Sequence, residues 1–337
     1  MRLEPPSWWY SRKMPALAWG LFPISLAYGT AVKARFQRTV PYKSKLPVIC
    51  AGNFTMGGAG KTPTALMLAG LLKAAGWKPA FLTRGYGGSE RGPYLVVPGR
   101  DGADKVGDEA LLLSRIAPTI VSRSRPDGAR LIETLGADII VMDDGFQNPS
   151  LEKDFNLVVI DGGAGLGSSR VFPMGPLRAP LAFQAALADA ILVINAKGAR
   201  LPVLGKDLER IPRFDGTIAP LPSPFEFRGQ KVVAYCAIGR PSKFFATLEE
   251  TGAIICKRRS FPDHHSFSEA EAKFLMDEAR VQNARLVTTE KDLARLEGKD
   301  GSLKVLREQS APLPVHLEIS PDRQTRLMRL ISASCKP

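Results

Sequence analysis

Cysteine and histidine are scarce, four and three residues in a chain of 337. Cys50, Cys236, Cys256 and Cys335 lie far apart and form no C-x-x-C pair, so neither a zinc knuckle nor a disulfide framework is expected. A reducing compartment is the simpler setting. Acidic residues are outnumbered by basic ones, 33 against 46. No internal repeat or low-complexity tract occurs, which removes solenoid and fibrous architectures. Uncharged runs of 20 residues or more are equally lacking. The candidate at 14–32, MPALAWGLFPISLAYGTAV, has 19 residues; at about 1.5 Å per residue such a helix barely crosses a bilayer core of about 30 Å.

What is present suits a globular chain with a sizeable core and two domains: 45% hydrophobic residues, 31 Gly and 27 Pro. The net charge of +13 permits a nucleic-acid, membrane or phosphate-bearing partner, and its distribution narrows the choice. Arg2, Arg12, Lys13, Lys33, Arg35, Arg38, Lys43 and Lys45 stand against the single acid Glu4 in residues 1–45. Cations therefore flank the uncharged run, with Trp8, Trp9 and Tyr10 just before it and Pro23 near its middle. This composition predicts a segment lying in the lipid headgroup region rather than spanning. The competing readings are a signal peptide and an apolar helix packed on the protein's own core. The first conflicts with MGGAGKT (56–62), a Gly-rich stretch of the phosphate-binding type, since ATP is a cytoplasmic resource. A nucleic-acid partner is not expected, because the basic surplus lies beside an apolar segment and not among exposed aromatics.

Apolar runs at 46–53, 79–83, 94–97, 119–122, 138–142, 156–160 and 190–194 alternate with helical stretches such as 62–75, 108–117 and 126–135. Continuous apolar strands between helices predict an α/β fold: a parallel sheet covered on both faces. The Pro-rich passage GTIAPLPSPFEFRGQ (216–230) reads as a boundary. Beyond it a smaller α/β unit follows, with a helix opened by Ser268 and Glu271 in capping-box spacing. The expected parts are a membrane-associating segment at 1–45, a P-loop NTPase-type core at 46–225 and a C-terminal domain at 226–337.

NFTMGGAGKTPTALML (53–68) places a Gly-rich loop between an apolar strand and a helix. Glycines at 57, 58 and 60 allow backbone N–H groups to converge on one centre, and the helix adds its positive end, an arrangement that binds oxygen anions. Lys61 would reach the β- and γ-phosphates and Thr62 would ligate Mg²⁺. The strict pattern wants Gly at 55, where Thr55 stands. The loop is also similar to the K-G-G-x-G-K-T variant of partitioning ATPases, but the cation expected at 56 is Met56, so a nucleotide-sandwich dimer is not expected and a monomer is. ADIIVMDDGFQN (137–148) is an apolar strand ending in Asp143 and Asp144, where an α/β sheet presents ligand groups; these read as the Mg²⁺-side acids, against the alternative of aspartates solvating a turn. No N-K-x-D accompanies the loop, which argues against a GTPase.

GNFTMGGAGKTP, TRGYGG (83–88), VGDEA (106–110), DDGFQ (143–147), GPLR (175–178), DHH (263–265) and TTEKD (288–292) occur in the order seen in tetraacyldisaccharide 4'-kinases, which the chain resembles from its N-terminal segment to about residue 292. The resemblance implies an ATP- and Mg²⁺-dependent kinase of lipid A biosynthesis at the cytoplasmic face of a bacterial inner membrane. Its acceptor would be the 4'-hydroxyl of a tetraacylated glucosamine disaccharide 1-phosphate, and its product lipid IVA. It further implies that Thr55, Met56, Gly57, Gly58, Ala59, Gly60, Lys61 and Thr62 bind the nucleotide. Thr62, Asp143 and Asp144 would serve the metal, Asp108 and His264 would act with Asp143 and Asp144 in catalysis, and Asn53, Arg84, Tyr86, Gln147, Arg178 and Lys291 would contact substrate. Each has a plainer alternative: Asp108 precedes a helical run and suits an N-cap, adjacent His264 and His265 suit an exposed loop, and Lys291 suits a surface, although its place near a helix start hints at a facing anion. Where the family commonly has His after DDGFQ and Glu after GPLR, this chain has Asn148 and Ala179. A membrane-associated regulatory ATPase is the competing function, and Met56 argues against it.

Overall fold

A computed structural model describes residues 6–11, 15–58, 60–195 and 205–335. After α1 (Ala16–Trp19) and α2 (Phe22–Arg38), β1 (Val48–Asn53) leads through the glycine loop into α3 (Lys61–Ala74) and β2 (Pro79–Thr83). Then come β3 (Tyr94–Leu95), α4 (Ala103–Val106), α5 (Asp108–Ser114), β4 (Thr119–Val121), α6 (Arg125–Ile132), β5 (Ile139–Asp143) and β6 (Phe155–Asp161). Next are α7 (Leu181–Ala185), β7 (Ala190–Asn195), β8 (Arg213–Pro220), β9 (Lys231–Cys236), α8 (Pro241–Glu250), β10 (Ile254–Ser260), α9 (Glu269–Val281) and β11 (Arg285–Thr289). The chain closes with α10 (Glu290–Arg295), α11 (Gly301–Gln309), β12 (Ser310–Leu313), β13 (Val315–Glu318) and α12 (Pro321–Ser334). Two compact units result, both discontinuous in sequence: Met1–Thr83, Ser124–Thr217 and Leu317–Pro337 form the first, and Arg84–Arg123 with Ile218–His316 the second.

In the first unit the strands run β8-β7-β6-β1-β5-β2, every neighbouring pair parallel. β1, β5, β6 and β7 are buried along their whole length, as expected of apolar strands covered on both faces. β1 lies between β5 and β6, in register at Val48 with Ile140 and at Ile49 with Phe155. The chain leaves β1 towards the β2 edge and passes from β5 to β6 across it, so the carboxyl end of β1 is a switch point, where open α/β sheets form their ligand crevice. α3 buries Thr64, Ala65, Leu68, Ala69 and Leu72, a helical stripe against this sheet.

Pro23 does not interrupt a helix midway, as the uncharged run suggests. The break comes earlier, at Gly20 and Leu21, and Pro23 sits in the first turn of α2, where a missing N–H costs nothing. Ser25 and Gly29 form the docked face: Ser25 Oγ donates to the Val171 carbonyl at 2.9 Å and accepts from Met174 N at 3.0 Å, and a Cβ on Gly29 would lie 3.2 Å from Pro180 Cγ. Leu17, Ile24 and Leu26 remain 84%, 56% and 58% exposed. The segment thus packs on its own unit along one stripe and leaves another stripe uncovered. No helix among the described residues is long and apolar enough to cross a membrane.

The second unit holds a parallel sheet in the order β10-β9-β11-β12 and the antiparallel pair β3 and β4. α9 begins with the expected capping box between Ser268 and Glu271. Ala294 of α10 packs with Val106, Ala110 and Leu111, joining the two sequence stretches of this unit at α5 and α10. The opening of the Pro-rich passage, read as a boundary, is here the end of β8.

Candidate functional site

The glycine loop follows β1 and is shaped by its neighbours in the first unit. Gly57 and Gly60 have φ of 100° and 89°, which L side chains rarely adopt, and a Cβ on Gly60 would lie 2.6 Å from Ile194 Cδ1. Nothing lies within 4 Å of where a Cβ on Gly57 or Gly58 would be, so the loop has open space on that side. Thr55 explains the missing glycine: it forms an antiparallel bridge with Leu177, an extended conformation in which a β-branched residue is at ease. Met56 N donates to the Pro176 carbonyl at 2.7 Å, so the loop is strapped to the GPLR segment. Ala59 lies outside the described residues.

Thr62 is buried at the start of α3, and its hydroxyl lies 3.4 Å from Asp143 Oδ2 at the end of β5. Asp144 follows in a left-handed conformation, φ 52°, and turns to the loop. The Arg178 guanidinium reaches its two oxygens at 2.7 and 3.4 Å, and Lys61 Nζ is 3.7 Å away. Burial would push the Asp144 carboxyl up; the Lys61 and Arg178 cations outweigh it and hold the group at about 2. Arg178 also donates to the Thr55 carbonyl and Gln147 Oε1. Gln147 Nε2 donates to the Asn53 carbonyl at 2.7 Å, and Asn53 Nδ2 donates to the Gly57 carbonyl at 3.3 Å. Arg178, Gln147 and Asn53, which the motifs mark for substrate, are thus engaged in holding the loop.

In the second unit Asp108 opens α5. It is not the N-cap, which is Gly107 at φ 87°. Its Oδ1 accepts from Glu109 N at 2.8 Å, and its Oδ2 faces His264 Nδ1 at 3.2 Å and Arg295 Nε at 2.7 Å. Burial would raise its pKa, but the hydrogen bond from His264 and the charges of Arg295 and Lys291 prevail, and the carboxyl titrates well below the ordinary range. His264 is not a solvated loop residue: its side chain is 17% exposed, its backbone is left-handed at φ 59°, and its ring lies 5.0 Å from that of Tyr86. Gly88 and Gly107 bring their loops together at backbone level, since a Cβ on either would lie 2.5 Å from the Lys105 or Tyr86 carbonyl oxygen. Lys291 does face an anion, Glu109, at 2.7 Å. Arg84 is exposed.

Several participants escape the sequence reading. Gln184 is buried and links Gln147 to the Phe54 and Ala179 carbonyls. Asp292 accepts from the Thr288 and Thr289 hydroxyls and from Ala237 N, and pairs with Arg295 one helical turn on. The i, i+3 spacing of Asp292 and Arg295 is the only sequence signal for that pair. Asn148 caps a turn through Ser150, and Ala179 is fully buried.

Comparison with known proteins gives a consistent result. The family described as Tetraacyldisaccharide-1-P 4'-kinase (LpxK) matches residues 17–334. A tetraacyldisaccharide 4'-kinase from Methylobacterium sp. (strain 4-46) is 47% identical over 332 residues, covering 98% of this chain and 97% of that protein. One from Paramagnetospirillum magneticum is 46% identical over 316 residues, 94% of each. The crystal structure of LpxK from Aquifex aeolicus in complex with ATP superposes with a TM-score of 0.75 at 25% identity, covering 95% of this chain and 100% of that one. The chain belongs to the tetraacyldisaccharide 4'-kinase family.

Proposed function

We propose that residues 55–62 bind ATP and that its γ-phosphate passes to the 4'-hydroxyl of a tetraacylated glucosamine disaccharide 1-phosphate, with the Asp108 and His264 pair taking the acceptor's proton. Kinase activity follows from membership of the family; the assignment of roles rests on geometry. The observation that carries it is the convergence, at the carboxyl end of β1, of the glycine loop, Lys61, the Thr62 hydroxyl and the Asp143 and Asp144 carboxylates. Lys61 and the loop amides would stabilise charge on the transferred group, and positioning with electrostatics dominates such reactions.

Among the described residues no group of three or more His, Cys, Asp or Glu side chains could hold a metal ion. Mg²⁺ in nucleotide sites needs only one or two protein oxygens beside the phosphates, and two hard oxygens 3.4 Å apart fit that demand. Thr62 and Asp143 would hold Mg²⁺, which neutralises phosphate charge when bound. Asp144 serves a different end, fixing Lys61 and Arg178. The buried Asp108 carboxylate is already engaged by Glu109 N, His264 and Arg295, which leaves the imidazole as the member of the pair placed to take the proton. With Nδ1 hydrogen-bonded to Asp108, Nε2 is the atom left to accept a proton.

The test is transfer of labelled γ-phosphate from ATP to the purified disaccharide lipid in detergent. Transfer to the lipid and none to water-soluble sugars is expected. Acceptor-independent hydrolysis as the sole activity would instead mark a regulatory ATPase.

A peripheral site on the inner membrane's cytoplasmic face belongs to the same proposal. Exposed Leu17, Trp19, Ile24 and Leu26 with exposed Lys33, Arg35 and Arg38 combine apolar area with cations, the pairing that draws a helix to anionic lipid. Replacing Leu17, Trp19 and Ile24 together by serine is expected to lower co-sedimentation with anionic vesicles by about tenfold or more, each apolar side chain being worth roughly 1.5–3 kcal/mol when fully buried. Unchanged co-sedimentation would place the lipid contact elsewhere.

A further inference from the structure

Arg295 belongs to none of the sequence motifs that mark the reaction, yet it contacts Asp108 directly and shares the Ala237 carbonyl with the backbone of His264. We infer that Arg295 is a positioning residue for that pair, holding the Asp108 carboxylate and the backbone of His264 in their working geometry. The inference rests on the assignment of Asp108 and His264 made above. The side chains of Arg295, Asp108 and Asp292 are 8%, 3% and 0% exposed, so their contacts are made away from water. Arg295 Nε and Nη2 both approach Asp108 Oδ2, at 2.7 and 2.5 Å, and Nη1 donates to Asp292 Oδ1 at 2.6 Å and to the Ala237 carbonyl at 2.8 Å. That same carbonyl accepts from His264 N at 3.1 Å. The bond matters because His264 holds a left-handed backbone, which surroundings must impose on a residue other than glycine. Ala237 N in turn donates to Asp292, and Thr288 and Thr289 complete the carboxylate's partners.

The arrangement has a clear electrostatic logic. Asp108 and Asp292 are two buried carboxylates, and burying both ionised requires the guanidinium between them. Burial already pushes the Asp292 carboxyl up, even beside Arg295. Lys291 is ion-paired with Glu109, and Asp263 lies 3.7 Å from His264 Nε2 with the Tyr86 ring alongside; among the described residues Arg295 is the lysine or arginine in direct contact with Asp108, whose other side-chain partner is the His264 ring. A fork is needed here: a lysine ammonium supplies the charge but not the planar reach to Asp108, Asp292 and the Ala237 carbonyl together.

Three variants of the full-length enzyme test this. In Arg295→Gln, kcat for transfer to the lipid is expected to fall about 10- to 100-fold, part of what a positioned base contributes, with KM for ATP unchanged. The acidic limb of its pH–rate profile should move to higher pH, because the charge favouring the deprotonated pair is gone. Arg295→Lys should keep the limb near its wild-type position while recovering only part of the rate. A merely structural arginine would lower the melting temperature and the active fraction without moving the limb. Should Arg295→Gln not fold, the inference stands on Arg295→Lys and is overturned if that variant is fully active. A folded Arg295→Gln with wild-type kcat, or a lowered kcat with an unmoved limb, also overturns it. Asp108→Asn separates the two readings: if it is inactive while both Arg295 variants behave as wild type, only this inference fails; if it is active, the reading of the pair fails.

Discussion

Lys61→Ala is expected to lower kcat for phosphate transfer by about 10³-fold, the scale on which a preorganised charge at the transferred group acts. Lys61 is held between the Gly57 carbonyl at 3.5 Å and Asp144 at 3.7 Å, with a side chain only 10% exposed. The loop therefore presents its ammonium in a fixed place. The variant should still fold, because Asp144 keeps its two-point pairing with Arg178, and the latter also anchors Thr55. Thermal unfolding within a few degrees of wild type, with kcat reduced by orders of magnitude, is the expected outcome. Wild-type turnover would remove the loop from the chemistry. A shift in KM for ATP alone would reduce Lys61 to uniform binding.

Asp108→Asn is the second large effect, an expected loss of about 10²–10⁴-fold in kcat, the usual contribution of a positioned acid or base. The amide is nearly isosteric and can still accept from His264 Nδ1 or Arg295. What it cannot do is carry the negative charge that stabilises an imidazolium as the hydroxyl's proton arrives. It also leaves Arg295 with Asp292 as its remaining carboxylate partner in a buried place, so a loss of about 1–3 kcal/mol in stability is expected alongside. Stopped-time assays of γ-phosphate transfer, with the folded fraction measured by circular dichroism, separate the two effects. Retention of activity after correction for folding would dismiss Asp108 from proton transfer.

Much of the site is legible in the linear chain because its chemistry is local. The glycine loop, Lys61 and Thr62 lie within one strand–loop–helix passage, whose conformation follows from glycine's tolerance of positive φ and from the apolar runs on either side. Asp143 and Asp144 can be read because a buried parallel strand has to end somewhere, and two acids there are visible. Thr55 is a different case. As a departure from the strict pattern it looks like a weakness, and only its bridge to Leu177 gives it a reason. Arg178 and Gln147 look like ligand contacts in sequence, whereas their hydrogen bonds in the folded chain run to Asp144, Thr55 and Asn53. Long polar side chains reach several ångströms in any direction, and spacing along the chain does not say which.

The sequence by itself determined the α/β alternation, the glycine loop, the acids at the end of β5 and the cation-flanked apolar start, since each depends on residues close to one another along the chain. Only tertiary structure decided that residues 84–123 join 218–316 in one unit, so that Asp108 meets His264 and a buried Arg295 almost two hundred residues away. Local propensities carry no record of such meetings. A buried ion network forms where packing excludes water and each charge finds its partner, and those partners are chosen by the fold.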